Sequence, residues 1–222
     1  MKKIFKYIFA GMAAMSVVAC SEDALETSPS SSVSGNELLG TATNALVSLN
    51  GVYRAMYTAG VSNSSNTHQC FGITAYNLVA DVMGEDCIMN GQGSGWFWYD
   101  CVYNVKSRYT STGWRSYDMW NGYYTWISNV NYILAEEETM SGSETEKNYV
   151  LGQAYAVRAY SYFMLAQMFS RTYKRHESEP CVPLYTEPTD IATEGKGRAT
   201  VEEVYQQITS DLDKAITMLG NS

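Results

Sequence analysis

"WRSYDMWNGYYTWISNVNYILAEEE", residues 114–138, decides the fold. Trp120, Tyr123, Tyr124, Ile127, Val130, Asn131 and Leu134 recur at helical spacing and predict a buried, aromatic-rich helix. Glu136, Glu137 and Glu138 follow as a solvated end. The segments after it repeat the pattern. Ser143 with Glu146 forms a capping box that opens a helix reaching about residue 169, and Thr200 with Glu203 forms another that opens a helix which Gly220 closes as a left-handed cap. Upstream, Ser34 with Glu37 opens a helix over about 35–58, and "FGITAYNLVADVMG" (71–84) reads as a shorter one stopped by Gly84. No segment alternates for long with period two, so the fold class is mainly α.

Two stretches break the pattern. Residues 171–198 form a linker with three prolines and two glycines. From Gly84 to Gly113 helical periodicity lapses into a long irregular excursion, whose aromatic content argues against disorder. Its centre is "GQGSGWFWYD" (91–100). As a nucleotide-binding loop it fails, because no strand precedes it and no helix opens at its end. Period-two alternation would put Trp96 and Trp98 on one face and turn Phe97 inward.

The amino terminus reads as an export signal. Lys2, Lys3 and Lys6 precede an apolar run from about Ile8 to Ala19, too short to span a bilayer, and Val17-Val18-Ala19 leads into Cys20. This is the pattern of a bacterial lipoprotein: a signal peptide over 1–19 and an acylated, polar tether over 20–34. Without the first 19 residues, 12 basic residues face 23 acidic ones, about −11, which excludes a nucleic-acid binder. Cys70, Cys87, Cys101 and Cys181 sit in an exported chain where disulfides are permitted, with three pairings open. No metal-ligand spacing is present, and His68 and His176 read as surface residues.

The alanines Ala154, Ala156, Ala159 and Ala166 among Tyr155, Tyr160, Tyr162 and Phe163 suit close helix pairing. They suggest irregular tetratricopeptide-like helical pairs, without a clean 34-residue period. At this point the chain resembles the SusD/RagB family. The blocks "WNGYYTWISNVNYIL" (120–134), "GQAYAVRAYSYFMLAQMF" (152–169), "VPLYTEPT" (182–189) and "RATVEEVYQQITSDLDKAI" (198–216) follow in the family's order. The resemblance implies a SusD-like helical domain over 35–222. It also implies a surface-exposed outer-membrane lipoprotein, anchored in outer-membrane lipid through Cys20, that passes captured glycan to a TonB-dependent outer-membrane transporter. Ser21-Glu22-Asp23 resembles the family's surface-export signal. The resemblance also implies that the family's C-terminal half is missing from these 222 residues, and that "RTYKRHESEPC" (171–181) lengthens a turn that is tighter in relatives.

In glycan binders of the family, aromatic residues before the Trp-Asn-Gly-Tyr-Tyr helix form an arc for sugar rings, and Trp96, Phe97, Trp98 and Tyr99 match it by position. The chemistry is independent of the likeness: a pyranose offers an apolar C–H face to an aromatic ring and a hydroxyl rim to polar groups. The candidate glycan-binding residues are Trp96, Trp98, Tyr99, Asp100, Asn104 and Arg108, with Asp81 and Asp86 as lesser ones. Two other readings compete. In one, the helical surface only docks on the transporter. In the other, a glycosidase uses Asp81 with Glu85 or Asp86; no acid/base constellation supports it. The reading requires no cofactor.

Palmitate labelling in the producing bacterium checks the anchor. Wild-type chain incorporates label and Cys20→Ser does not; an unlabelled wild-type chain would contradict the lipoprotein reading.

Overall fold

The helices form where side-chain spacing and caps agree. The computed structural model describes residues 39–85, 87–104 and 113–222, which lie in one compact unit. Six α-helices are found among them: α1 Ala42–Ala55, α2 Ile73–Met83, α3 Trp98–Cys101, α4 Trp114–Ala135, α5 Glu144–Phe169 and α6 Val201–Leu219. A 3-10 turn, Ser64–Asn66, lies between α1 and α2. Among the described residues strand-like pairing is confined to two isolated bridges, Thr41 with Ser141 and Pro180 with Thr200.

Both downstream capping boxes are present. The Ser143 hydroxyl accepts the Glu146 N–H at the start of α5, and Thr200 does the same for Glu203 at the start of α6. Each glutamate reaches back to the cap N–H, so two otherwise orphaned donors are satisfied at each start. Two boundaries differ from the sequence reading, whereas Gly84 ends α2 as expected, in an extended conformation. α1 begins at Ala42, where the Thr41 hydroxyl accepts the Asn44 N–H; Ser34 and Glu37 lie outside the described residues, as do the signal segment and tether. Gly220 ends α6 in the right-handed helical region, and its N–H still finds the Ile216 carbonyl at 3.0 Å, so no left-handed cap is needed.

α5 is the central element: it packs most extensively on α6, then on α4, and it also meets α1. Close approach between α5 and α6 depends on Gly152, where a Cβ would sit 2.8 Å from the Leu219 side chain. The aromatic stripe of α4 is inward as expected, with Tyr123, Ile127 and Val130 fully buried and Trp126 added to it. The linker after α5 keeps its irregular form and straps across α4. Tyr124 donates its hydroxyl to the Pro183 carbonyl (2.7 Å), and the Asn131 amide donates to the Tyr185 and Glu187 carbonyls (2.9 and 3.1 Å).

One buried polar network joins these parts. Arg158 of α5 makes a bidentate pair with Asp211 of α6 (2.8 and 2.7 Å) and donates to the Asn131 side chain of α4 (2.8 Å) and the Thr186 carbonyl of the strap (3.0 Å). Gln207 adds a bond to the Asp211 carboxylate at 2.9 Å. A buried pair of this kind repays desolvation only because nearly every donor and acceptor is used. The four cysteines are free thiols, Cys70 and Cys181 buried, Cys87 exposed and Cys101 half-buried, so none of the three pairings that the composition permits is formed.

Arg158→Met leaves Asp211 buried without its cation. The expected loss is about 3–5 kcal/mol in urea unfolding, and pairing it with Asp211→Leu recovers part of that. Loss near zero in the single variant would show that the network does not hold these elements together.

Candidate functional site: an aromatic groove beside α3

The irregular excursion folds back onto the start of α4. Gly93 and Gly95 adopt positive φ (50° and 85°), the left-handed region that side chains avoid, and the chain then turns through Phe97, itself at φ 56°. A left-handed phenylalanine is strained, and its surroundings hold it. The Phe97 N–H donates to the Gln69 side-chain oxygen (3.1 Å), its ring packs edge-on to Phe71 with centroids 6.1 Å apart, and the Arg115 guanidinium lies 4.9 Å from its ring centre. With Phe97 only 6% exposed, its neighbours are thrown outward: Trp96 is 49% and Tyr99 56% exposed.

Trp96 and Tyr99 line a groove of about 560 Å³ together with Asn66, His68, Gln69, Gln92, Asn104, Trp114 and Arg115. The His68 ring sits 5.1 Å from that of Trp96, tilted by 39°. The floor is ionic but internally balanced. Arg115, 3% exposed, donates to the Gln69 carbonyl (2.7 Å) and to the Asp100 carboxylate (3.2 Å), and it stacks at 4.2 Å on Trp114. Burial holds its pKa down to about 10, so it remains a cation at neutral pH. Behind it Asp118 is wholly buried; one carboxylate oxygen takes the Ser62 hydroxyl, and burial raises its pKa. The Cys70 thiol beside it is pushed up to about 12 by burial first and then by the Asp118 charge, which leaves it protonated and inert.

The residues singled out in the sequence are distributed unevenly. Trp96, Tyr99, Asp100 and Asn104 line the groove, and Phe97 turns inward as expected. Trp98 does not share the groove with Trp96. A helical turn opens at Trp98, so spacing of three rather than two brings Trp96 and Tyr99 together. That turn also corrects the statement that no helix opens after the glycines, although it is only four residues long and no strand precedes it. Asp100 is buried in its bond to Arg115 rather than lying on an open rim. Arg108 and Asp86 lie outside the described residues, while Asp81 and Glu85 are exposed near the end of α2, away from the groove lining.

Chemically, the groove offers two exposed rings, a histidine, and the amides of Asn66, Gln69, Gln92 and Asn104, each able both to donate and to accept. Its described lining holds a single carboxylate, already paired, whereas glycoside cleavage uses two facing the scissile bond. Sequence reasoning missed His68, Gln69, Trp114 and Arg115. Arg115 and Asp118 were within reach: both fall on the α4 stripe through Gly122 and Trp126, where a charge implies a buried partner.

Comparison with known proteins agrees with this architecture. A family model described as SusD-like, starch-binding and associating with the outer membrane matches residues 82–222, from the end of α2 through α6. A SusD-like carbohydrate-binding protein from Bacteroides vulgatus shares 27% identity at a TM-score of 0.66, over 81% of this chain and 36% of its own. A second protein from that organism shares the fold at 24% identity and a TM-score of 0.62 (82% and 38% covered). A SusD superfamily protein from Bacteroides thetaiotaomicron does so at 22% and 0.57 (80% and 37%). The chain thus spans little more than a third of these solved structures. No curated protein matches it. Among the described residues no helix is long and apolar enough to cross a membrane. The family match extends over well over half of the 222 residues, and this protein belongs to the SusD-like family.

Proposed function

We propose that the chain captures oligosaccharide or polysaccharide in the groove beside α3. The observation that carries this is the exposure of Trp96 and Tyr99 three residues apart on a groove that also presents four side-chain amides. Two large aromatic rings left half in water on a pinned loop forgo the burial such rings normally gain. Trp96 supplies the stacking face, Tyr99 a second ring with a hydroxyl, and Asn66, Gln92 and Asn104 the hydroxyl readout. Asp100 acts from beneath by holding Arg115, half-buried Trp98 is a further candidate contact, and Arg108, outside the described residues, is another.

In this reading residues 1–19 are a signal peptide, 20–34 a tether acylated at Cys20, and 35–222 a SusD-like helical domain at the cell surface. The captured glycan passes to a TonB-dependent outer-membrane transporter. Support for these parts comes from the amino-terminal pattern and from the family's association with the outer membrane. The protein acts by binding rather than cleavage.

Titration calorimetry of the full chain in detergent, against maltoheptaose and a panel of β-glucan, fructan and mannan oligosaccharides, tests the reading. At least one glycan binds, and Trp96→Ala weakens it about tenfold or more, equivalent to about 1.4 kcal/mol. Reducing ends do not accumulate. Binding unchanged by Trp96→Ala would overturn the groove assignment; no binding at all, with the transporter still co-purifying, would leave a docking role only.

A further inference from the structure

A second cleft of about 340 Å³ lies where the strap after α5 crosses α4, and none of its lining residues is shared with the aromatic groove. We infer that this cleft is a separate carbohydrate subsite that takes a single uncharged pyranose unit. Its apolar wall is made by Trp120 and Tyr124, whose ring centres are 4.9 Å apart at an angle of 43°. Ser128 continues the same face of α4 one turn on, and the strap contributes Thr189, Asp190 and Thr193. Rings from α4 beside hydroxyls and a carboxylate from the strap match the two chemical faces of a pyranose.

The polar wall has bonding capacity in reserve. The Ser128 and Thr189 hydroxyls stand 3.4 Å apart, a stretched contact that a ligand hydroxyl could replace on better terms. Oδ1 of Asp190 accepts the Ala192 N–H (2.9 Å) and the Thr193 hydroxyl (3.0 Å). A carboxylate offers about four lone-pair positions, so acceptor capacity remains for sugar hydroxyls. Its charge disfavours uronates and sulfated sugars. The strap's backbone is fixed on both sides of the cleft, by Tyr124 on the Pro183 carbonyl and by Tyr132 on the Thr189 carbonyl, both at 2.7 Å. The polar wall is therefore preorganised, and a ligand need not order it. The volume is near the lower end of small-ligand pockets, about 300–1,000 Å³, which suits one ring and excludes a chain lying lengthwise.

The test is ¹⁹F NMR on the full chain labelled with 5-fluorotryptophan. Its five tryptophan signals are assigned by single Trp→Phe variants and titrated with methyl glucoside, methyl galactoside, methyl mannoside and N-acetylglucosamine. The Trp120 signal moves saturably with at least one of them. It does so equally in a Trp96→Ala background, and Asp190→Ala, at an exposed loop position, weakens the response about fivefold, the size of one hydrogen bond. A Trp120 signal indifferent to every sugar, or a response unchanged by Asp190→Ala, overturns the subsite. The aromatic groove is judged separately from Trp96 and Trp114; their failure to move while Trp120 responds would sink that site and leave this one standing.

Discussion

The guanidinium of Arg115 is a cation with almost no water to dissolve in, so the loop has to come to it. It collects the Gln69 carbonyl, the Asp100 carboxylate, the face of Phe97 and the ring of Trp114. These partners come from the turn before α2, from the aromatic excursion and from α4 itself. No apolar packing could fix two irregular segments to a helix so well, because a buried charge penalises every arrangement that leaves it unmet. One result is the left-handed Phe97, which turns Trp96 and Tyr99 outward on either side of it.

Beneath this lies a frame held by the same device. Arg158 joins α5 to α6, α4 and the strap, as Arg115 joins α4 to the loop. The strap is thereby both a structural tie and the wall of the second cleft, and the groove inherits its rigidity from α4. A glycan meeting preformed rings loses little to reorganisation, which is how weak stacking contacts become useful affinity.

The regular part of the fold was legible. Helical spacing and the Ser143 and Thr200 boxes located α5 and α6 closely, since a cap is a local event written in four residues. The aromatic excursion could be recognised by composition but not drawn. Period-two alternation describes an extended segment, whereas at residues 96–98 glycines at positive φ and a helical turn at Trp98 set the geometry. His68 and Gln69 were invisible for another reason: they reach the loop from nearly thirty residues away, through contacts no local pattern encodes. Arg115 and Asp118 could have been read, as charges on a buried stripe.

Arg115 forms the floor that fixes the shape of the proposed glycan groove. The direct measurement is Arg115→Met, which keeps the apolar stem and removes the charge, assayed for both far-ultraviolet helicity and glycan affinity. This role predicts near-native helicity, faster proteolytic nicking within residues 87–104, and glycan affinity reduced as severely as by loss of Trp96. Native affinity with an uncleaved loop would contradict it.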